Sequence, residues 1–205
     1  MRLTTTMFLS LDGVVQGPGA PDEDPRGGFT QGGWVFPHAD EDFGELVAGW
    51  FAAADAFLLG RRTYEIFAGY WPRVTDPADP IAGRLNALPK YVASHTLREA
   101  EWAGSTVLSG DLAAEVAALR QRPGGELQIH GSSELVRSLM AHDLIDEYRL
   151  LFFPVVLGNG RRLFTEGSTP TALRLTGTAT TASGVVLHTY EAAGRPTYGS
   201  FGSPE

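Results

Sequence analysis

The sequence predicts an α/β fold: one domain built on a mixed, mostly parallel sheet, with helices on its faces and an antiparallel hairpin at one edge. Three observations predict it. Strand-like and helix-like segments alternate through the first three quarters of the chain, the pattern of parallel strands joined by crossover helices. Two strand-like runs then follow one another directly, Leu173 to Thr181 and Val185 to Tyr190, about Ser183 and Gly184. A length of 205 residues with 43% hydrophobic content supplies one sizeable core, and no repeat or linker divides it. The domain is expected over 1–192, followed by a Gly/Pro/Ser-rich tail over 193–205.

Arg2 to Leu9 reads as the first strand, with Leu3, Met7, Phe8 and Leu9 among β-favouring threonines. Ser10 to Gly13 ends it. A long loop rich in Gly, Pro and Asp follows over 17–33, of a length that marks functional or mobile segments. A helix is expected from about Asp40, because Leu46, Val47, Trp50, Phe51 and Ala54 recur at helical spacing. Asp55 to Gly60 reads as a short buried strand, and Arg61 to Ala68 as a helix ended by Tyr70-Trp71-Pro72. Ile81 to Leu88 predicts a short helix, and Tyr91 to Ser94 and Thr106 to Ser109 brief strands. Asp111 can cap a helix that Pro123-Gly124-Gly125 stops. Leu127 to His130 predicts a strand, and Gly131-Ser132-Ser133 opens a helix with Leu135, Val136, Leu139 and Met140 on one face. Tyr148 to Leu157 reads as one long apolar strand.

Composition removes several function classes. A net charge of -8 disfavours broad nucleic-acid binding. The absence of cysteine excludes disulfides, thiolate catalysis and zinc–sulfur sites. The first residues lack the apolar run of a signal peptide, and no window has the apolar length of a membrane helix, so a cytoplasmic protein with no membrane partner is expected. Neither G-x-S-x-G nor H-E-x-x-H occurs. The 5 histidines are scattered, and His38 with Asp40 gives at most two ligands, so no metal site is expected.

Two strand-to-helix junctions carry the chemical signal. Phe57 to Gly60 leads into Arg61-Arg62-Thr63, where free backbone N–H groups, the positive helix end and two guanidinium groups suit a phosphate. Leu127 to His130 leads into Gly131-Ser132-Ser133, where glycine permits close approach and a serine caps the helix or binds an oxygen. Either junction alone also reads as an ordinary turn. Both lie at carboxyl ends of strands, where open α/β sheets bind ligands, although no G-x-G-x-x-G follows any strand.

Further segments join these junctions: Ser10-Leu11-Asp12-Gly13, Leu59 to Glu65, Val92-Ala93-Ser94 with Thr96-Leu97, Ile129 to Ser132, Asp146-Glu147-Tyr148 and Phe153 to Gly160. In this order and spacing the chain, over roughly Arg2 to Glu191, resembles the stand-alone relatives of the riboflavin-biosynthesis reductase C-terminal domain, within the dihydrofolate-reductase-like superfamily. The resemblance implies a three-layer αβα fold and a homodimer. It implies that Gly60, Arg61, Arg62 and Thr63 hold a cofactor pyrophosphate, and that Ser94 and His95 lie near the adenosine ribose and any 2′-phosphate. His130, Gly131, Ser132, Ser133, Glu134 and Leu135 would cover the pyrophosphate and nicotinamide side. Asp12 and Gly13 would lie near the nicotinamide, and Trp34, Phe36, Tyr64, Phe67 and Trp71 would wall the substrate site, although simple core packing explains each aromatic equally well.

Two departures matter. Relatives often carry arginine where this chain has His95, a weaker 2′-phosphate partner near neutrality. The superfamily often has two glycines, joined by a cis peptide, where this chain has His130-Gly131, so a strained or cis bond is expected there. The expectation is an NAD(P)H-dependent reductase acting on a small polar carbonyl, imine or pterin-like molecule. NADPH is the expected cofactor, with NADH open. Asp12 is the named catalytic residue; Asp40, Asp42 and Glu45 read more simply as helix-start charges in solvent. A riboflavin-type sugar phosphate needs basic groups, and Arg26 is alone in the 17–33 loop. A non-catalytic ligand-binding or interaction protein is the alternative. A flavin- or pterin-binding protein is a third.

Overall fold

Period-two alternation in the first strand sends Leu3, Met7 and Leu9 to one side of a sheet and Phe8 to the other, so both faces need a cover. A computed structural model describes residues 1–202 and shows how they are covered. The elements run β1 (Arg2–Ser10), α1 (Glu41–Ala53), β2 (Ala54–Gly60), α2 (Arg61–Tyr70), α3 (Pro80–Ala87), β3 (Lys90–Ala93), β4 (Ser105–Leu108), α4 (Leu112–Arg120), β5 (Glu126–His130), α5 (Ser133–Ala141), β6 (Glu147–Phe153), β7 (Leu173–Thr180) and β8 (Val186–Ala192). The sheet order is β4-β3-β2-β5-β1-β6-β8-β7. The first six strands in this order pair in parallel; β8 pairs antiparallel with both β6 and β7.

The result is three layers. Val116, Leu119, Leu135, Val136 and Leu139 of α4 and α5 pack on Leu3, Met7, Leu127 and Ile129. Val47 and Phe51 of α1, Tyr64 of α2 and Leu85 of α3 pack on the opposite face, against Phe57, Leu59 and Val92. A third cluster, Val14, Phe29, Trp34 and Val35 against Leu151 and Phe153, anchors the loop after β1.

The long loop over 17–33 is tied down rather than free. Buried Gln16 donates to the carbonyls of Asp24 and Arg26, both at 2.9 Å, and accepts from Arg161 N at 3.0 Å. Trp34 Nε1 donates to Gln16 O at 2.8 Å. Buried Asp24 takes Arg26 at 2.7 Å and also binds Arg161, and these guanidinium groups, chiefly through the Arg26 bond, hold its carboxyl below the usual range. Gly32 is required by close approach: a Cβ there would lie 2.4 Å from Pro21 O and 2.5 Å from Ala20 O.

Two boundaries differ from expectation. The strand expected over Tyr148 to Leu157 stops at Phe153, because Pro154 cannot donate to the ladder and Val155 N turns back to Phe153 O at 2.7 Å. No peptide bond among the described residues is cis, so the expected cis His130–Gly131 bond is absent. The distortion sits one residue later, at Ser132, with φ 58° and ψ 48°. After β8 no regular element follows over 193–202, and residues 203–205 of the expected tail lie outside the described residues. No helix among the described residues is long and apolar enough to cross a membrane.

Candidate active site

A groove of about 1330 Å³ runs across the carboxyl ends of β1, β2, β3, β4 and β5. Its position follows from topology. The chain passes to opposite sheet faces after β2 and after β5, so the first turns of α2 and α5 open side by side above these neighbouring strands.

Helix capping distinguishes these two helices from the rest. Asp40, Asp79 and Asp111 cap α1, α3 and α4 by accepting from backbone N–H groups of the first turns. At α2 and α5 the cap residues are Gly60 and Ser132, and neither makes a side-chain capping bond to its own helix. Instead Ser132 Oγ accepts from Gly60 N at 3.0 Å and donates to Thr63 Oγ1 at 2.8 Å. The free N–H groups of both first turns therefore converge on one stretch of groove.

Most residues expected at a cofactor line this groove: Gly60, Arg61, Arg62, Thr63, Ser94, His95, His130, Gly131, Ser132, Ser133, Glu134 and Leu135. Arg61 pairs with Glu65 at 2.7 Å and reaches Thr96 Oγ1 at 2.6 Å, which joins α2 to the turn after β3. Arg62 donates to Glu23 O at 3.3 Å, which joins α2 to the long loop. The Glu23 carboxyl accepts from Gly19 N and Ala20 N, and burial raises its pKa.

The expected substrate walls divide. Phe67 and Trp71 line the groove. Trp34, Phe36 and Tyr64 do not. Trp34 packs edge-on against Phe153, 5.3 Å between centroids, in the core beneath the loop. Phe36 is 80% exposed beyond the groove. Tyr64 is on the buried side of α2, where its hydroxyl accepts from Trp102 N at 3.0 Å.

Asp12 and Gly13 also lie outside the lining residues. The Asp12 carboxylate accepts from Ser10 Oγ at 2.7 Å, Leu157 N at 3.1 Å and Gly158 N at 3.0 Å, and it meets Arg162 at 3.2 Å. Burial opposes its charge, but these hydrogen bonds prevail and hold its pKa at about 2. An acid so held ties down the loop after β6 and is a poor proton donor near neutrality. Asp40 and Asp42 are likewise committed, accepting from Ser183 N at 2.7 Å and Ala182 N at 2.9 Å in the hairpin turn.

Sequence reading missed the apolar face of α1 that lines the groove, Phe43, Val47 and Phe51, and the β4 side, Leu108, Gly110 and Leu112. The strand-end rule that found the other junctions applies equally to β4. The α1 face carried a helical signal, but periodicity does not separate a core wall from a groove wall.

His130 forms part of the floor. Its ring stacks on Phe51, centroids 4.3 Å apart and 16° between planes. Burial, with the cationic Arg149 nearby, pushes its pKa down to about 3, so it is neutral at physiological pH. The Gln128 amide nitrogen donates to Trp50 O at 2.7 Å and Glu126 Oε2 at 2.6 Å, which turns its Oε1 toward His130 Nε2 at 3.0 Å. An amide oxygen only accepts, so His130 Nε2 carries the proton and Nδ1 carries a lone pair.

Residues 2–187 match the model of the RibD C-terminal domain. The chain belongs to that family. It is 28% identical over 195 residues to YyaP, an uncharacterised protein of Bacillus subtilis (strain 168), covering 92% of this chain and 94% of that one. Its fold is similar to that of a putative riboflavin biosynthesis protein from Shewanella sp. PV-4, with TM-score 0.66, 22% identity and coverage of 94% and 99% of the two chains. It is also similar to dihydrofolate reductase from Enterococcus faecalis, complexed with NADP(H) and RAB-propyl, with TM-score 0.58, 16% identity and coverage of 93% and 96%. This member of the RibD C-terminal family therefore has a dihydrofolate-reductase-like, reductase-type fold.

Proposed function

We propose that this RibD-family chain is an NAD(P)H-dependent reductase. The observation that carries the reading is the pair of uncapped helix starts, α2 and α5, aimed into one groove and held together through Ser132. Free N–H donors at two helix N-termini are the chemistry a pyrophosphate requires. Arg61 and Arg62 add positive charge on the same side of the groove. Ser94, His95 and Thr96, at the end of β3, offer polar groups for the ribose at the adenosine end. Leu108, Leu112 and Leu135 offer apolar surface for its base.

When bound, a reduced nicotinamide supplies a hydride to an acceptor carbon, and the atom next to that carbon then takes a proton. The chain's own work is to hold both molecules and keep bulk water out.

Titration with NADPH and NADH, followed by tryptophan fluorescence, tests the reading. Saturable micromolar binding is expected, and the double variant Arg61→Ala, Arg62→Ala should lose most of it. A chain that binds neither nucleotide at millimolar concentration overturns the reductase reading and favours a non-catalytic ligand-binding protein of this fold.

A further inference from the structure

The groove has two ends of different chemistry. Arg61 and Tyr70 stand at opposite ends of α2, roughly 13 Å apart at 1.5 Å per residue. The Arg61 end carries the charge. Four arginines and four carboxylates line the groove: Arg26, Arg61, Arg62 and Arg161 with Glu23, Asp24, Glu65 and Glu134. Arg61 pairs with Glu65, and Arg26 and Arg161 share Asp24. Arg62 reaches the loop backbone at Glu23. The charges cancel formally and belong to the two helix starts, or to the loop and Arg161 that pack beside them. At the far end the walls are Phe43, Val47, Phe51, Phe67, Trp71 and Ile81, from α1, α2, α3 and the turn between the last two. No charged side chain stands among them.

His130 brings an unpartnered polar atom to the floor of this apolar chamber. His130 is 7% exposed, stacks on Phe51 and lines the groove. Its Nε2 is committed to Gln128, and its Nδ1 has no hydrogen-bond partner among the described residues. A lone pair without a protein partner, on a ring that lines the groove, accepts from a ligand that brings a donor to it.

We propose that the chamber binds an uncharged, flat ring compound whose ring N–H or O–H donates to His130 Nδ1, and that it does not take a sugar phosphate. A phosphorylated substrate would need a cation the chamber lacks, while desolvating a dianion among Phe43, Phe51, Phe67 and Trp71 is strongly unfavourable. A flat ring gains instead by contact with the aromatic walls. Of the substrates expected from sequence, a pterin-like ring fits this description, whereas a small polar carbonyl or imine would leave the aromatic walls unused. The proposal takes the far end as the substrate end, and so rests on the reductase reading.

Three probes test it by calorimetry on the full chain, with and without saturating NADPH: quinolin-2(1H)-one, its N-methyl derivative and ribose 5-phosphate. The lactam N–H is the donor, and methylation removes it while keeping the ring. Quinolinone should bind, the N-methyl compound should bind about 10-fold more weakly, a loss of about 1.4 kcal/mol, and ribose 5-phosphate should not bind. In His130→Leu, quinolinone should weaken to the level of its N-methyl derivative. Because that variant alters a buried residue, imidazole 15N resonances of the unaltered protein give a second readout: Nδ1 should move with quinolinone and not with the N-methyl compound. Equal affinity for the two rings, or ribose 5-phosphate binding better than either, overturns the proposal. A chain that binds NADPH but neither ring also overturns it and leaves the reductase reading standing. Discrimination between the rings without nucleotide binding supports the chamber and overturns the reductase reading.

Discussion

Ser132 Oγ accepts a hydrogen bond from Gly60 N at 3.0 Å, across 72 residues of sequence, and so couples the first turns of two helices on opposite faces of the sheet. The serine holds this position in a left-handed conformation, φ 58°, that serine rarely adopts. Its hydroxyl is the compensation. Ser132→Ala keeps the backbone strain and removes the hydroxyl, leaving Gly60 N and Thr63 Oγ1 without this partner. A loss of about 1–3 kcal/mol is expected in urea unfolding. Ser132→Gly relieves the strain and loses the same bonds, so it should be the less destabilised of the two. The reverse order would mean the left-handed backbone is not a source of strain, and a Ser132→Ala variant as stable as the native chain would mean the hydroxyl is not what holds the junction.

Asp12 is expected to act on stability rather than turnover. Asp12→Asn leaves one acceptor oxygen where the carboxylate serves Ser10, Leu157, Gly158 and Arg162. A loss of about 1–2 kcal/mol is expected, with nucleotide affinity changed by less than about threefold. Unchanged stability with turnover reduced by orders of magnitude would instead make Asp12 the proton donor.

Acid should destabilise the protein from about pH 6.5 downward. His130 binds a proton near 6.5 in the unfolded chain and only near 3 when folded, so the unfolded state gains protons first as pH falls. Between pH 6.5 and 4.5 this amounts to roughly 2–3 kcal/mol at about 1.4 kcal/mol per unit. Asp12, at about 2 when folded against 3.8, adds to the loss only below pH 4. Urea midpoints across this range should fall steeply in the native sequence and more gently in His130→Leu. Equal slopes would mean that the histidine is not buried neutral.

Lys90 gives the same sign on the alkaline side. It is fully buried, donates to Leu85 O at 2.7 Å and Leu88 O at 2.8 Å, and lies 4.5 Å over the Trp102 ring. Burial pushes its pKa down to about 8, against 10.5 in the unfolded chain. The folded state thus releases its proton first, and stability should rise from pH 8 toward 10. Above pH 10 the buried Tyr148, which resists ionisation, reverses the trend. Lys90→Met should flatten the rise between pH 8 and 10, measured by thermal unfolding. A rise that persists in the variant assigns it to other groups.

Much of the fold was legible in the sequence because its signals are local. Alternation in Arg2 to Leu9, helical spacing in α1 and α5, and the turn about Ser183-Gly184 are each set by a few neighbouring residues. Asp111 reads as a cap because capping is a contact three residues long. The overlong strand after Tyr148 failed where Pro154 outweighs hydrophobic pattern.

The sequence by itself determined the α/β class, the approximate place of each element, and the two junctions at Gly60 and Gly131. Tertiary structure alone decided which side chains face the groove. Trp34, Tyr64 and Phe67 are all aromatic, yet packing sends the first two into the core and the third to the groove, because each helix or loop is rotated by contacts far away in sequence. The same holds for the commitment of Asp12 to residues 157 and 158, the pairing of Ser132 with Gly60, and the proton on His130, fixed through Gln128 by Trp50 and Glu126. Hydrogen bonds and burial between residues distant in sequence exist only after the sheet has assembled, and they set the chemistry of the site.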